Sequence, residues 1–299
     1  MKAAWAWPSV LLVVATAAAA QPTFKSGVDA VRLDVSVLSR GQPVTGLTAR
    51  DFTVLDNGVR QKVAEVTREE HPIAVTLVLD TSGSMAGDNL QRLVDAAHGL
   101  LASLRPEDTV ALLTFGEDVQ LKLPLTRDRA AAAGALDRLT ASGPTAMRDA
   151  LWTALQLRPD DESRPLVLLF SDGLDTASWL SEADAVAATE RAGTIVHVVE
   201  LGSRDVVRMP GTVGTPVVRS SSPRPTAALQ RLSRAGGGRQ WSATSSGELR
   251  ELFTRAIDEM RARYVVTFYP EGPPKSGWHE LRVSVPRGEV TARPGYFVP

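Results

Sequence analysis

Oxygen-bearing side chains occur at three places in the sequence where an apolar segment ends. A carboxylate and two hydroxyls alternate in the loop 80–84 after the apolar run 75–79, a threonine closes the turn 142–145, and an aspartate follows the run 166–170. The five residues are Asp80, Ser82, Ser84, Thr145 and Asp172. Because hydroxyl and carboxylate oxygens are ligands of hard cations, a site built from them would favour Mg²⁺, Mn²⁺ or Ca²⁺ over zinc or copper.

Each of these segments also has a purely structural explanation. The loop 80–84 could cap a helix or form a turn, since Asp and Ser favour both. The Asp-Gly pair at 172–173 is common turn chemistry at the end of a strand. The combination is more informative, because three loops that follow separate elements of one α/β unit can converge at the carboxyl edge of its sheet, where open sheets bind ligands.

The central part of the chain alternates between apolar runs and amphipathic segments. Unbroken apolar runs are typical of strands covered on both faces, and spacings of three and four indicate helices. Strands are predicted at 75–79, 110–115, 119–123, 166–170 and 194–201, and helices at about 88–104, 129–139, 146–157, 181–192 and 245–260. This order predicts an α/β domain over residues 71–261, with a doubly wound, mostly parallel sheet.

The two ends of the chain are rich in strand patterns. Residues 24–68 and 262–299 contain alternating apolar and polar positions, and Asn57-Gly58 between two such runs indicates a hairpin. Because two or three strands are marginally stable alone, we expect both segments to pair into one small β-sandwich beside the α/β domain. Release of a stable, folded 24–68 fragment by proteolysis would contradict this pairing.

The first twenty residues have the pattern of a secretory signal peptide. Lys2 precedes an almost wholly apolar stretch, 3–20, which ends in three alanines. We expect cleavage after Ala20 and a secreted or periplasmic bacterial protein. The alternative is an uncleaved membrane anchor, because the apolar stretch just reaches the ~18 residues that a membrane span needs.

Composition narrows the classes of function. The 299 residues include 33 basic and 34 acidic side chains, and this balance argues against nonspecific nucleic-acid binding. The absence of cysteine excludes disulfides, thiolate nucleophiles and thiolate zinc sites. The hydrophobic fraction of 43% is enough for a core and excludes a wholly disordered chain.

The loop 80–84, the distant Thr145 and the distant Asp172 together resemble the metal-ion-dependent adhesion site of the von Willebrand factor type A domain. All five oxygen-bearing positions match, and the resemblance extends over about residues 73–260. The strand-rich flanks more loosely resemble a bacterial group of secreted proteins related to this family. That second resemblance implies no chemistry.

The resemblance implies a role for each residue of the site. Ser82, Ser84 and Thr145 would be direct ligands of a divalent cation, with Asp80 and Asp172 acting largely through water or hydrogen bonds. Neutral hydroxyls would leave much of the ion's charge available for an Asp or Glu side chain of a partner protein. The implied function is a non-catalytic protein-binding module, with the partner, the ion and the oligomeric state left open.

Enzymatic functions have weaker support in the sequence. There is no phosphate-binding Gly-x-x-x-x-Gly-Lys loop and no Gly-x-Ser-x-Gly nucleophile motif. A metal-assisted phosphoester hydrolase using Asp80 and Asp172 is the alternative, although Ser82 stands where such enzymes usually carry a second carboxylate. A third possibility is that the metal only stabilises the fold.

Residues 203–225 form an insert rich in Gly, Pro, Ser and Arg. Arg204, Arg208, Arg219 and Arg224 outnumber Asp205, which gives the insert a net charge of +3. Because it follows a predicted parallel strand, the insert is expected on the metal side of the sheet, where it could steer an acidic partner. The alternative is a mobile, solvated loop with no role.

Overall fold

The structure is a computed structural model. It describes residues 30–68, 71–172, 175–201, 204–207, 217–220, 227–272 and 276–298. The predicted signal peptide and its cleavage after Ala20 lie outside the described residues. Within the described ranges, no helix is both long enough and apolar enough to span a membrane.

The described chain contains seventeen strands and six α-helices. The strands are β1 (Val31–Ser39), β2 (Gln42–Pro43), β3 (Thr53–Asp56), β4 (Val59–Gln61), β5 (Val63–Thr67), β6 (Ile73–Asp80), β7 (Thr109–Phe115), β8 (Val119–Thr126), β9 (Arg164–Ser171), β10 (Ile195–Leu201), β11 (Arg204–Val207), β12 (Val217–Ser220), β13 (Gln240–Ala243), β14 (Tyr264–Phe268), β15 (Gly277–Ser284), β16 (Glu289–Thr291) and β17 (Gly295–Val298). The helices are α1 (Asp88–Ser103), α2 (Arg129–Leu136), α3 (Met147–Ala154), α4 (Glu182–Ala192), α5 (Ala227–Ala235) and α6 (Ser246–Ala262).

The central sheet has six strands in the order β13-β10-β9-β6-β7-β8, and all neighbours are parallel except β7 and β8. Helices α1, α2 and α6 pack on one face, and α3, α4 and α5 pack on the other. Every residue of β6 is buried, as its continuous apolar run predicts. The predicted doubly wound, mostly parallel α/β fold is confirmed.

The chain ends form two antiparallel sheets that enclose a separate apolar core. One sheet places β1 beside β14, with Val31 opposite Phe268, and the other joins β15 to β3 and β17. The flanks therefore pair into the predicted small β-sandwich. Its β3–β4 hairpin turns at Asn57 (φ 47°) and Gly58 (φ 79°), the two positive φ angles that a tight primed turn requires.

Two segments differ from the sequence prediction. The apolar positions between Val290 and Val298 predict one strand, but these residues supply β16 to one sheet and β17 to the other. Pro294 lies between the two strands, and its missing N–H and fixed φ prevent a continuous ladder. The insert expected as a loop contains an antiparallel hairpin formed by β11 and β12.

Charged side chains join the sandwich to the amino edge of the central sheet. Arg263, just after α6, is fully buried and donates to Glu259 Oε1 at 3.1 Å and to Gly237 O at 2.9 Å. Arg164, the first residue of β9, forms an ion pair with Asp34 of β1. Because the carboxyl end of β9 lies at the opposite edge of the sheet, the sandwich leaves that edge uncovered.

His197 of β10 is a second buried polar group. It stacks on Trp241 with ring centroids 4.6 Å apart, and its Nδ1 accepts a hydrogen bond from Arg239 N at 3.0 Å. Burial lowers the pKa of His197 to about 3, because the imidazolium form would lose its hydration. The position of His197 within the predicted strand 194–201 favours a packed side chain, and its full burial confirms this.

Neutral His197 makes stability depend on pH. The unfolded chain binds a proton at His197 below its ordinary pKa of 6.5, whereas the folded protein does not. Because protonation of His197 favours the unfolded chain, the free energy of unfolding falls as the pH is lowered, by about 2 kcal/mol between pH 7 and 5. We expect His197→Asn, which retains an acceptor near Nδ1, to remove this pH dependence of the unfolding free energy measured with denaturant. The surface variant His98→Asn is the control and should keep it. Equal pH slopes in wild type and His197→Asn would contradict the assignment.

Candidate metal centre

Asp80 is the last residue of β6 and holds the following loop through its carboxylate. Its side chain is fully buried. Oδ1 accepts hydrogen bonds from Ser82 N at 2.9 Å and from Ser82 Oγ at 2.5 Å, and Oδ2 accepts one from Ser171 Oγ at 3.1 Å. Asp80 therefore fixes the position of the Ser82 hydroxyl.

The loop then leads from the buried carboxylate to the surface. Ser82 is buried, whereas Ser84 is exposed. Their hydroxyl oxygens lie 3.0 Å apart. Residues 83–85 form a short 3-10 turn. This turn keeps the hydroxyls of Ser82 and Ser84 next to each other. The predicted Asp-x-Ser-x-Ser loop is thus one hydrogen-bonded group of oxygen atoms.

The turn 142–145 packs directly against this loop. Gly83 N donates to Gly143 O at 2.8 Å, and Ser142 N donates to Thr81 O at 2.8 Å. Gly116, at the end of β7, lies between the two segments, and a Cβ atom there would come within 2.7 Å of Ser142 O. Glycine therefore permits the close approach that brings the Thr145 turn beside the Ser82 loop.

Thr145 is buried, and its backbone is fixed by a segment that follows β9. Its N–H donates to Thr176 Oγ1 at 3.0 Å. Its carbonyl accepts from Thr176 N at 2.9 Å and from Ala177 N at 3.0 Å. These contacts hold Thr145 at the same edge of the sheet as the Asp80 loop.

Asp172 follows β9, the strand next to β6. Leu79 lies opposite Phe170 in the ladder, so the chain beyond both strands emerges at one edge. Burial raises the pKa of Asp80, and the negative charge of Asp172 adds to this effect, while the hydrogen bonds from Ser82 oppose it. A cation beside these two carboxylates would relieve their mutual repulsion.

The donor set fits a hard divalent cation. No cluster of three or more His, Cys, Asp or Glu residues suited to a metal occurs in the described parts of the chain. A metal centre at this edge would therefore depend on hydroxyl oxygens, which Ser82, Ser84 and Thr145 carry. That some of the five residues bind a metal ion directly and the others hold these ligands in place stays a prediction.

Several positioning residues were missed by the sequence prediction. Ser171 and Thr176 hold Asp80 and Thr145, respectively. Asp149 of α3 accepts from the backbone N–H groups of residues 179 and 180, both at 2.9 Å. Asp175 pairs with Arg148 at 3.1 Å. Ser171 and Asp80 are ninety-one residues apart in sequence, and the other partners are about thirty residues apart, so no local pattern indicates them.

The protein therefore contains an α/β domain that carries a group of carboxylate and hydroxyl side chains at the carboxyl ends of its strands. Residues 75–174 match the family model described as the von Willebrand factor type A domain, and this range contains all five predicted site residues. The α/β part of the chain has the fold of that domain type, as the resemblance predicted.

Solved structures share the fold. BatB from Bacteroides thetaiotaomicron is 21% identical with a TM-score of 0.51, and the match covers 63% of this chain and 98% of that one. A von Willebrand factor type A protein from Catenulispora acidiphila is 14% identical with a TM-score of 0.51, over 89% of this chain and 71% of that one. The second match extends well beyond the α/β domain.

Curated relatives are bacterial. An uncharacterized protein of Synechocystis sp. is 29% identical over 147 residues, which are 48% of this chain and 35% of that protein. A UPF0353 protein of Mycolicibacterium paratuberculosis is 26% identical over 227 residues, or 70% of this chain and 66% of the relative. The chain thus spans about a third of the first relative and just under two thirds of the second.

Thr176 provides a test of how Thr145 is held. Thr176→Val removes the acceptor of the Thr145 N–H but preserves side-chain shape. We expect about a 10-fold loss of Mg²⁺ affinity, the lower end of what supporting residues contribute at metal sites. Isothermal titration with Mg²⁺ measures this loss. Thr176→Ser retains the acceptor and should bind Mg²⁺ as wild type does. Wild-type affinity in the valine variant would show that Thr176 does not position the site.

Proposed function

We propose that this protein is an exported, non-catalytic binding module that captures an Asp or Glu side chain of a partner protein through a bound divalent cation. The observation that carries the proposal is the group of hydroxyls fixed by Asp80 at the sheet edge that the sandwich leaves uncovered. Export is proposed from the signal-peptide pattern of residues 1–20.

The proposed division of roles follows from burial and hydrogen bonding. Ser82, Ser84 and Thr145 would supply oxygen atoms to Mg²⁺, Mn²⁺ or Ca²⁺, and the cation would offer a remaining position to an anionic oxygen. Asp80 holds the Ser82 hydroxyl, and Asp172 adds negative charge beside it. Because most direct ligands are neutral, the cation keeps much of its charge for the partner.

Local charge makes the proposed capture depend on the cation. Asp80 and Asp172 lie at the edge itself. Glu117, Asp118 and Lys122 line a cavity of about 160 Å³ beside Thr81, so acidic side chains outnumber basic ones there. Without a cation, these carboxylates would repel an acidic partner. Metal dependence of binding should therefore be strict.

Burial of Asp80 also supports a non-catalytic function. An aspartyl nucleophile must reach its substrate, but the Asp80 carboxylate is fully buried and accepts three hydrogen bonds. This geometry favours the binding function over the phosphoester hydrolase that the sequence left open.

The proposal is tested by capture from native extract on the immobilised protein. We expect a partner to be retained in Mg²⁺ and released by chelator, and we expect Ser82→Ala to retain none. A parallel assay with p-nitrophenyl phosphate and Mg²⁺ should give no turnover. Retention that is unchanged by chelator would refute metal-mediated capture, and turnover that Asp80→Asn abolishes would establish the hydrolase instead.

A further inference from the structure

Trp179 projects into solvent beside the candidate metal centre. Its side chain is 98% exposed, whereas the next most exposed large hydrophobic residue in the described chain, Tyr269, is 53% exposed. An indole left in water forgoes the favourable burial of a large apolar surface. Aromatic side chains, Trp among them, are enriched in protein interfaces relative to the rest of the protein surface.

The backbone that carries Trp179 is fixed. Its N–H donates to Asp149 Oδ2 at 2.9 Å, and Leu180 N donates to Oδ1 of the same carboxylate at 2.9 Å. The preceding Ser178 donates its hydroxyl to Asp175 Oδ2 at 2.7 Å. The exposed indole is therefore carried by a hydrogen-bonded segment, so binding would cost little backbone conformational entropy.

The same segment connects Trp179 to the metal centre. Thr176 is hydrogen-bonded to the backbone of Thr145 in both directions. Trp179 is three positions after Thr176, so their Cα atoms lie within ~11 Å of each other. A peptide whose acidic side chain reaches the site could place a neighbouring side chain on the indole.

Two carboxylates near the indole already have partners within the protein. Asp149 is occupied by two backbone N–H groups, and Asp175 is paired with Arg148. Both carboxylates are therefore occupied within the segment, and the indole is the large apolar group that the segment exposes.

We infer that Trp179 is a specificity-determining contact for the partner. The recognised segment is an extended peptide that carries a large apolar side chain within about five residues of the captured Asp or Glu. This limit follows because Trp179 is only three positions after Thr176, which contacts Thr145, and an extended chain rises ~3.3 Å per residue. This inference rests on the proposed function, and it adds the identity of the neighbouring side chain to it. Rigid aromatic anchors of this kind dominate many interfaces.

A set of synthetic peptides tests the inference directly. Each carries one central Glu in a Gly/Ser background, with a Phe or Leu placed at one neighbouring position at a time, and each has a counterpart with Gln in place of Glu. In Mg²⁺, we expect the best Phe or Leu peptide to bind the wild-type protein at least ~10-fold more tightly than the Gly/Ser peptide. Binding should also shift the tryptophan emission to shorter wavelength as the indole leaves water.

Trp179→Ala should remove both the preference and the emission shift, while Glu-dependent binding of the Gly/Ser peptide persists. The control Trp278→Ala removes another exposed tryptophan, located in the sandwich, and should retain both. Thermal unfolding of Trp179→Ala should match wild type, because the indole is not packed.

The outcomes separate the two proposals. Glu-dependent, Mg²⁺-dependent binding with no preference for Phe or Leu, or with a preference that survives in Trp179→Ala, would overturn the inference and leave the proposed function standing. Binding that does not distinguish Glu from Gln, or no binding to any peptide when Mg²⁺ itself binds, would overturn both.

Discussion

Thr145→Ala should weaken Mg²⁺ binding by on the order of 100-fold, because it removes one of the three hydroxyl groups that we propose as direct ligands. The Thr145 backbone contacts to Thr176 and Ala177 do not involve the lost hydroxyl, so the folded structure should persist. Isothermal titration with Mg²⁺ measures the affinity, and thermal unfolding in chelator measures the apo stability.

Thr140→Ala is the matched control, since it removes an exposed threonine hydroxyl from the same loop region. It should bind Mg²⁺ as wild type does. Unfolding of the Thr145→Ala protein in chelator would mean that the residue stabilises the fold. Undiminished Mg²⁺ binding would remove Thr145 from the ligand set.

Arg263→Ala should destabilise the protein by about 3–5 kcal/mol, the usual cost of leaving the partner of a buried ion pair unpaired. Arg263 is fully buried, and its guanidinium contacts Glu259 and the carbonyl of Gly237. Denaturant unfolding measures the loss. The surface pair Arg282–Glu280 is the control, because Arg282 is 73% exposed and Arg282→Ala should cost less than about 1 kcal/mol.

The double variant Arg263→Met/Glu259→Leu distinguishes an unpaired charge from a simple loss of packing. Removing both charges eliminates the desolvation cost, so we expect it to recover much of the stability that Arg263→Ala loses. A double variant as unstable as the single one would indicate that the junction is held by the carbonyl contacts of Arg263 or by the pairing of Glu259 with Arg239 at 3.3 Å.

Local patterns predicted the elements and the chemistry of the site. The apolar runs of β6 and β9 predicted buried parallel strands, and the oxygen-bearing residues that follow them predicted where the site would lie. Pairing of the flanks followed from the marginal stability of two short sheets. Each of these predictions depends only on residues that are close together in sequence or on the number of strands in a segment.

The residues that hold the site could not be predicted in the same way. Thr176 reaches Thr145 across thirty-one positions, and Ser171 reaches Asp80 across ninety-one. Neither contact has a period or a motif, because each depends on how separate loops meet at the sheet edge. Arg263 was missed for a related reason, since a charged residue after an apolar helical stripe is ordinarily expected in solvent.

The sandwich draws on both ends of the chain, and this has a consequence for folding. The Tyr264 hydroxyl donates to Val44 O across 220 residues, so the two halves meet only after a very long loop has closed. Closing that loop in a flexible chain is entropically unfavourable, but a prefolded α/β domain brings the ends together and removes most of the cost. We therefore expect assembly to proceed from the middle of the polypeptide outward, with the terminal strands zipping together last.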